Sequence, residues 1–278
     1  MKFDLTEMSI DRKLILYKSL STSLLSKGVG FLYQIMALPL LLKYLGNTDF
    51  GILAIFMSLV GWIYLLSGGI SPYLTRTLAS GKPFNFCSNV IAGSRTILIG
   101  LTIICTSFFI LANTLLPAWF QSYGSTLLLL FCLSIVIVNL AFTDSIRQGK
   151  HQQDINNLLL MSANVTTVIF IYICTYLNVI IFSKLFTAVL IIYSPLMLTK
   201  LINFSLLQRY GLFERLYIPY KKYKRLYNLI FSFMAANLTI QLSVVAVKSA
   251  AIITLGVNDP VDASRMEIVF RYLLILGT

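Results

Sequence analysis

Six side chains along this 278-residue chain could hold a ligand by charge or hydrogen bond: Lys27, Gln34, Arg76, Arg95, Lys184 and Lys248. All lie within or at the ends of long apolar stretches, where a basic group costs about 2.5–3.5 kcal/mol on an insertion scale and needs a reason to be there. One reason is an anionic ligand, bound by the charge-assisted hydrogen bonds that arginine makes especially well. The other is snorkelling, in which the stem lies along apolar surface and the head reaches the interface. Lys184 and Lys248 stand near expected helix ends and suit that second reading. Lys27 shares a helical face with Ser23, Ser26, Gly30 and Gln34, a pattern that suits a cavity wall. Gln34, Asn139, Asn164, Asn237 and Gln241 could bond ligand hydroxyls, or join helices to one another at roughly 0.6 kcal/mol each.

Catalytic chemistry has little to build on. The chain has one histidine, His151, beside Gln152 and Gln153 with no second metal ligand close in sequence. The four cysteines (Cys87, Cys105, Cys132 and Cys174) have no metal-ligand spacing and read as small apolar side chains. No carboxylate pair, nucleophile–base set or phosphate-cradling glycine loop is evident, so neither an enzyme nor a bound metal or cofactor is expected.

The elements that would position these residues are set by hydropathy. No charge occurs between Arg95 and Asp144, nor over Phe50–Thr75, Ile155–Ser183 or Leu226–Val247, although soluble domains carry a charge at about one position in four. With 58% hydrophobic residues and a mean hydropathy of +0.83, the chain reads as an all-α, polytopic transmembrane bundle. Barrel strands would be about ten residues with period-two alternation, and a bilayer otherwise demands helices. The pattern predicts helices over Leu20–Tyr44, Gly51–Ser67, Thr96–Leu116, Ser125–Ala141, Asn157–Thr175, Val179–Leu198 and Leu226–Val247, with an eighth from about Ile268. Residues 1–18 are charged, and no cleavable signal is expected.

The net charge of +12 is a topology signal before it is a binding signal. Sorted by loop, sixteen basic residues fall on the N-terminal side and only Lys43, Lys248 and Arg265 on the other, with Lys27, Lys184 and Arg271 left inside helices. Positive loops stay cytoplasmic, so the N-terminus is expected inside. No nucleic-acid partner is expected. Membrane lipids are, because anionic headgroups would meet Lys221–Arg225.

The first hairpin carries the most specific signals. Pro39 is an expected kink, Asn47 or Thr48 an expected cap for the second helix, and Ser71-Pro72 an expected restart after Gly68-Gly69. In order, Tyr44-Leu45-Gly46-x-x-Asp49-Phe50-Gly51 and Gly69-Ile70-Ser71-x-x-x-Thr75-Arg76-x-x-Ala79 resemble the start of Wzx-type O-antigen flippases. These belong to the multidrug/oligosaccharidyl-lipid/polysaccharide exporter superfamily. More weakly, the helix spacing extends the resemblance to about residue 265. It implies a two-bundle carrier that moves a lipid-linked oligosaccharide, an undecaprenyl-pyrophosphate-bound repeat unit, across the bacterial inner (plasma) membrane by alternating access. Some of the five basic candidates would then line the cavity and attract the pyrophosphate, and Gln34 could meet sugar hydroxyls. The resemblance also implies polysaccharide polymerase and chain-length proteins as partners.

Two departures accompany it. Lys248 stands where many relatives carry an acidic residue, and Asp262-Ala263-Ser264 replaces a frequent Gly-x-Tyr. Residues 1–207 are expected to form the first bundle, 208–225 a basic cytoplasmic linker, and 226–278 a second bundle cut short in its second helix. The expectation is therefore a truncated product, inactive alone or completed by another chain. A membrane polymerase or ligase acting on the same glycan is the enzyme alternative, disfavoured by short outer loops. A cation-coupled drug exporter of the same superfamily is the other, disfavoured because the expected helices contain no Asp or Glu. If Lys27 lines the cavity, reversing its charge in a transport-competent homologue abolishes complementation while its membrane level stays normal. Retained complementation would remove Lys27 from the site.

Overall fold

The computed structural model describes residues 10–67, 70–81, 83–115, 122–208 and 223–276. They form nine helices: α1 (Ile10–Ser67), α2 (Ile70–Ala79), α3 (Phe84–Leu115), α4 (Gly124–Leu140), α5 (Phe142–Gly149), α6 (Gln153–Leu177), α7 (Lys184–Gln208), α8 (Lys224–Asn258) and α9 (Pro260–Leu276). Among the described residues no strand forms, and a single bridge joins Ile181 to Ser183. Five of the helices are long and apolar enough to cross a membrane, as a multi-pass membrane protein requires. The all-α bundle expected from hydropathy is the observed one.

The first helix is two arms that meet at Gly46, whose φ of 79° and ψ of 172° leave the helical region. An L-residue avoids that conformation and glycine does not, which is why the hairpin motif needs glycine here. Pro39, the expected kink, sits within the helical arm, and the break in helical backbone angles falls seven residues later. The first arm runs parallel to α6 with a constant offset. Asn157 donates to Thr22, Thr175 to the Leu40 carbonyl and Tyr44 to the Val179 carbonyl, each pair 135 residues apart. One unbroken register therefore holds two helices along their whole length.

The second arm is knitted to α8 and α9 by small residues. A Cβ on Gly51 would land on the Pro260 carbonyl, and one on Gly256 would lie 2.6 Å from Ile55 and 2.7 Å from Ala263. Close backbone approach of this kind is how helices associate where there is no water to expel. Phe50, beside Gly51, is 1% exposed. The motif Gly46-x-x-Asp49-Phe50-Gly51 thus encodes a turn, a core anchor and a contact. Asn47 and Thr48 are exposed and, among the described hydrogen bonds, make no cap.

Two apolar clusters fill the bundle. One gathers both arms of α1 with α4, α6, α7, α8 and α9, and the other joins α2, α3, α4, α5, α7 and α8. The helices expected to open a second bundle thus pack against α1 and α2 within shared clusters. Residues 209–222, most of the expected linker, lie outside the described residues, as do Gly68, Gly69 and Lys82. The short helices α2 and α5 dock on each other at the end of the bundle that holds Lys18. There Thr75 donates to the Ser145 carbonyl at 3.4 Å, and a Cβ on Gly149 would press on Leu78 at 2.5 Å.

Several helices run further than hydropathy predicts. Helix α3 begins at Phe84 rather than Thr96, α7 ends at Gln208 rather than Leu198, α8 continues to Asn258, and α9 starts at Pro260 rather than near Ile268. Conversely α7 starts at Lys184, because residues 178–183 form a turn with Asn178 and Phe182 at φ of 50° and 61°. Replacing Gly51 with alanine is expected to cost about 1–3 kcal/mol by overpacking. Gly28→Ala, facing open space, should be neutral or stabilising by up to about 1 kcal/mol. The buried Cys87 and Cys174 allow both to be read as unfolding midpoints from thiol exposure in detergent. Equal midpoints for the two variants would contradict the α1–α9 contact.

Candidate functional site

Extension of α8 and start of α9 together create a charged centre that hydropathy missed. Lys248 is ten residues short of the α8 terminus, so it lies about 15 Å from that end rather than at it, and Glu267 is about 10 Å inside α9. Glu267 is 3% exposed and bridges two cations. Its Oε2 is 3.0 Å from Lys248 Nζ and its Oε1 accepts from Arg271 Nε at 2.9 Å. The lysine ammonium also reaches Oε1 at 3.2 Å. Tyr193 of α7 is within electrostatic reach of Glu267, Arg271, Tyr33 and Tyr64. Four helices therefore converge on two positive charges and one negative.

The net charge of this triad is +1, and each member needs the others. A lone cation or carboxylate at this depth would bear its desolvation unaided, whereas the pairings replace lost water. Lys248 was an expected ligand contact and is here a partner of Glu267. Its ammonium rests on that carboxylate while the side chain stays part-exposed. The helices expected from hydropathy carry no Asp or Glu; Glu267 enters a helix because α9 begins eight residues earlier than its apolar pattern suggested, and α9 is not among the five helices long and apolar enough to cross a membrane.

The other five expected residues are dispersed. Lys27 and Gln34 are exposed on α1, while Ser26, 7% exposed, and Gly30 face inward, Gly30 beside Asn164 of α6. The expected polar wall is thereby split between two faces. Arg76, in the last turn of α2, lies 5.9 Å above the Phe233 ring, and Arg95 lies 5.8 Å above Phe142. Such cation–π contacts attract an arginine's charge to the ring face. Arg95 is eleven residues inside α3 rather than at its mouth. Lys184 is exposed at the start of α7, within Coulombic reach of Asp49. Nearby Tyr123, ahead of α4, has its hydroxyl pKa pushed up by burial and then by the Asp49 carboxylate. Asn139 joins helices, donating to Thr102 at 2.6 Å. The side chains of Asn237 and Gln241 lie outside those described.

A second polar centre sits at the Lys18 end, where α5, α6 and α7 meet. Asp144 pairs with Lys200, and Arg147, 2% exposed, donates to Asn203 and to Gln152. Asn203, 1% exposed, donates in turn to Asp144, Thr143 and Asn156. Lys18 closes the edge with a 2.8 Å pair to Asp154. In the sequence, Asp144, Arg147, Lys150 and Asp154 fall between two apolar runs and read as a solvated loop able to pair internally. Instead the first two are built into a helix corner. The signal that could have found it is the run from Gln152 to Asn157, four carboxamides in six residues at a helix start.

Replacing Glu267 with glutamine leaves Lys248 and Arg271 facing each other without a counterion. Breaking a buried pair in this way costs about 3–5 kcal/mol, so the unfolding midpoint should fall steeply. The charge-free triple variant Lys248→Met, Glu267→Leu, Arg271→Met should recover most of the loss. An unchanged midpoint in Glu267→Gln would mean that water already reaches both cations. No family model, curated protein or solved structure matches this chain, so what it does has to rest on these residues and their geometry.

Proposed function

We propose that the chain belongs to a carrier that moves an undecaprenyl-pyrophosphate-linked sugar repeat unit from the cytoplasmic to the outer leaflet of a bacterial inner membrane, without covalent chemistry. The observation that carries this reading is the position of the flippase-like motif within the bundle. Gly46 makes the hairpin, Phe50 anchors the larger apolar cluster, Gly51 touches Pro260 and Thr75 ties α2 to α5. The same residue types in the same order would be needed by a carrier with that architecture. The bias of sixteen basic residues to three supports a cytoplasmic N-terminus. Lipid-linked oligosaccharide is then the cargo, with a polymerase and chain-length proteins acting after it.

In that reading the triad supplies the charge logic. Lys248 and Arg271 offer the cationic surface that a pyrophosphate needs, and Glu267 is the counterion they hold between cargoes. An arriving phosphate would exchange with Glu267 rather than meet two bare cations, which keeps the empty state affordable. Residues Arg76 and Arg95, already above aromatic rings, would serve as secondary contacts.

Glu267 also favours a second reading, a cation-coupled exporter, because coupling generally uses an intramembrane carboxylate. Proteoliposomes separate the two. With the lipid-linked repeat unit loaded in the inner leaflet, a glycan carrier should expose it to an external glycosidase faster than protein-free vesicles do. Exposure equal to the protein-free rate would sink the glycan reading. Export of a cationic dye driven by an imposed proton gradient, with no glycan movement, would put the exporter in its place.

A further inference from the structure

The turn between α6 and α7 carries an apolar surface at the end of the bundle remote from Lys18. Leu177, Val179, Ile180 and Ile181 are all exposed, and Phe182 is 92% exposed. Only Asn178 interrupts these five apolar residues. Tyr172 and Tyr176 pack together on the last turns of α6, and Lys43 Nζ lies 4.5 Å from the Tyr176 ring centre. Lys184 stands exposed where α7 begins. An apolar surface of this kind, flanked by cations, marks a site of interaction rather than a face made for water.

The backbone of the turn is served from within. Tyr44, the buried first residue of the hairpin motif, donates to the Val179 carbonyl at 2.7 Å. Thr187 is wholly buried, and its hydroxyl accepts from the Ile181 N–H at 2.7 Å. The same hydroxyl shares its proton between the carbonyls of Ile181 and Ser183, at 3.0 and 2.8 Å. Ser183 N–H also reaches the Ile181 carbonyl at 2.7 Å, and Ser183 Oγ accepts from Phe186 N–H. In water these groups would find partners unaided. At membrane depth, irregular backbone persists only where protein or an internal water supplies them.

Depth follows from helix length. Asn203 donates to Asn156 in the corner at the Lys18 end, so the two share one level. At about 1.5 Å per residue, α6 covers about 32 Å from there to Leu177, and α7 about 28 Å to Lys184. The hydrocarbon core is about 30 Å thick. With the polar corner at one boundary, the turn therefore stands at the other. Long lysine stems and tyrosine rings suit that level.

We propose that residues 177–182 are an anchor seated in lipid at the hydrocarbon boundary opposite the Lys18 end, with Lys43 and Lys184 reaching the headgroups. Lipid is the occupant because the same apolar surface runs on down α6 through Ile173, Phe170 and Ile169, all exposed along a helix long and apolar enough to span. Tyr44 and Thr187 are positioning residues, which hold the turn's backbone for a solvent that cannot. The anchor does not depend on what the bundle carries.

The test places a fluorophore at the tip of the full chain. Trp62→Phe and Trp119→Phe remove both natural tryptophans, and Phe182→Trp supplies one. In phosphatidylcholine vesicles the tip tryptophan should emit to the blue of free tryptophan. Brominated acyl chains should quench it, and aqueous iodide should reach it poorly. Full quenching by iodide would put the turn in water, and resistance to both quenchers would put protein over it; either overturns the anchor. Thr187→Val keeps the side chain's shape but strips the Ile181 N–H of its acceptor, and Tyr44→Phe strips the Val179 carbonyl of its donor. At unfolding midpoints close to the parent's, each should raise iodide quenching at the tip. Unchanged iodide quenching in both would overturn the positioning role of these bonds.

Discussion

Hydrocarbon offers no partner to a polar group, and that constraint organises everything else in this bundle. Backbone groups are satisfied within helices, and a charge at depth must bring its counterion with it. The pairing of Glu267 with both Lys248 and Arg271 is the sharpest expression of this. It joins α8 to α9, and because α9 lies along the second arm of α1, it secures the hairpin motif as well. Its net contribution to stability is modest, since desolvating three charges offsets most of their attraction. Its contribution to uniqueness is larger: any sliding of α8 against α9 would strand a charge.

Around that centre two kinds of contact divide the labour. Parallel helices are held in register by hydroxyl and amide bonds repeated at one offset, as between α1 and α6. Close crossings use small residues, as at Gly51 and Gly256. Neither depends on expelling water, which is unavailable as a driving force between helices in lipid. The many exposed leucines and isoleucines, such as Leu24, Leu25, Ile103 and Ile104, are what a surface facing acyl chains would carry.

The two polar centres differ in kind. The triad is charged and centred on the buried Glu267 carboxylate, with the Lys248 side chain part-exposed. The corner network at the Lys18 end is mostly amide, lies beside a cavity and retains one open acceptor. Each joins helices: the triad ties α8 to α9, and the corner network ties α5 and α6 to α7.

By itself the sequence determined that the chain is helical, that its long charge-free runs suit a membrane, and where glycine and phenylalanine make the first hairpin. These properties are local: hydropathy sums neighbours along the chain, and Gly46 is dictated by its own backbone angles. The tertiary structure decided where helices end and which charges are buried. A segment such as Pro260–Glu267 looks like a loop to hydropathy because it carries Asp262, Arg265 and Glu267, yet it is a helix in which Arg265 pairs with Asp262 and Glu267 with Lys248 and Arg271. The same blindness hid the cavity beside the corner network, whose walls come from three helices. It also split the expected Lys27 face, since helical spacing gives a side chain's direction on its own helix but not which neighbour stands there.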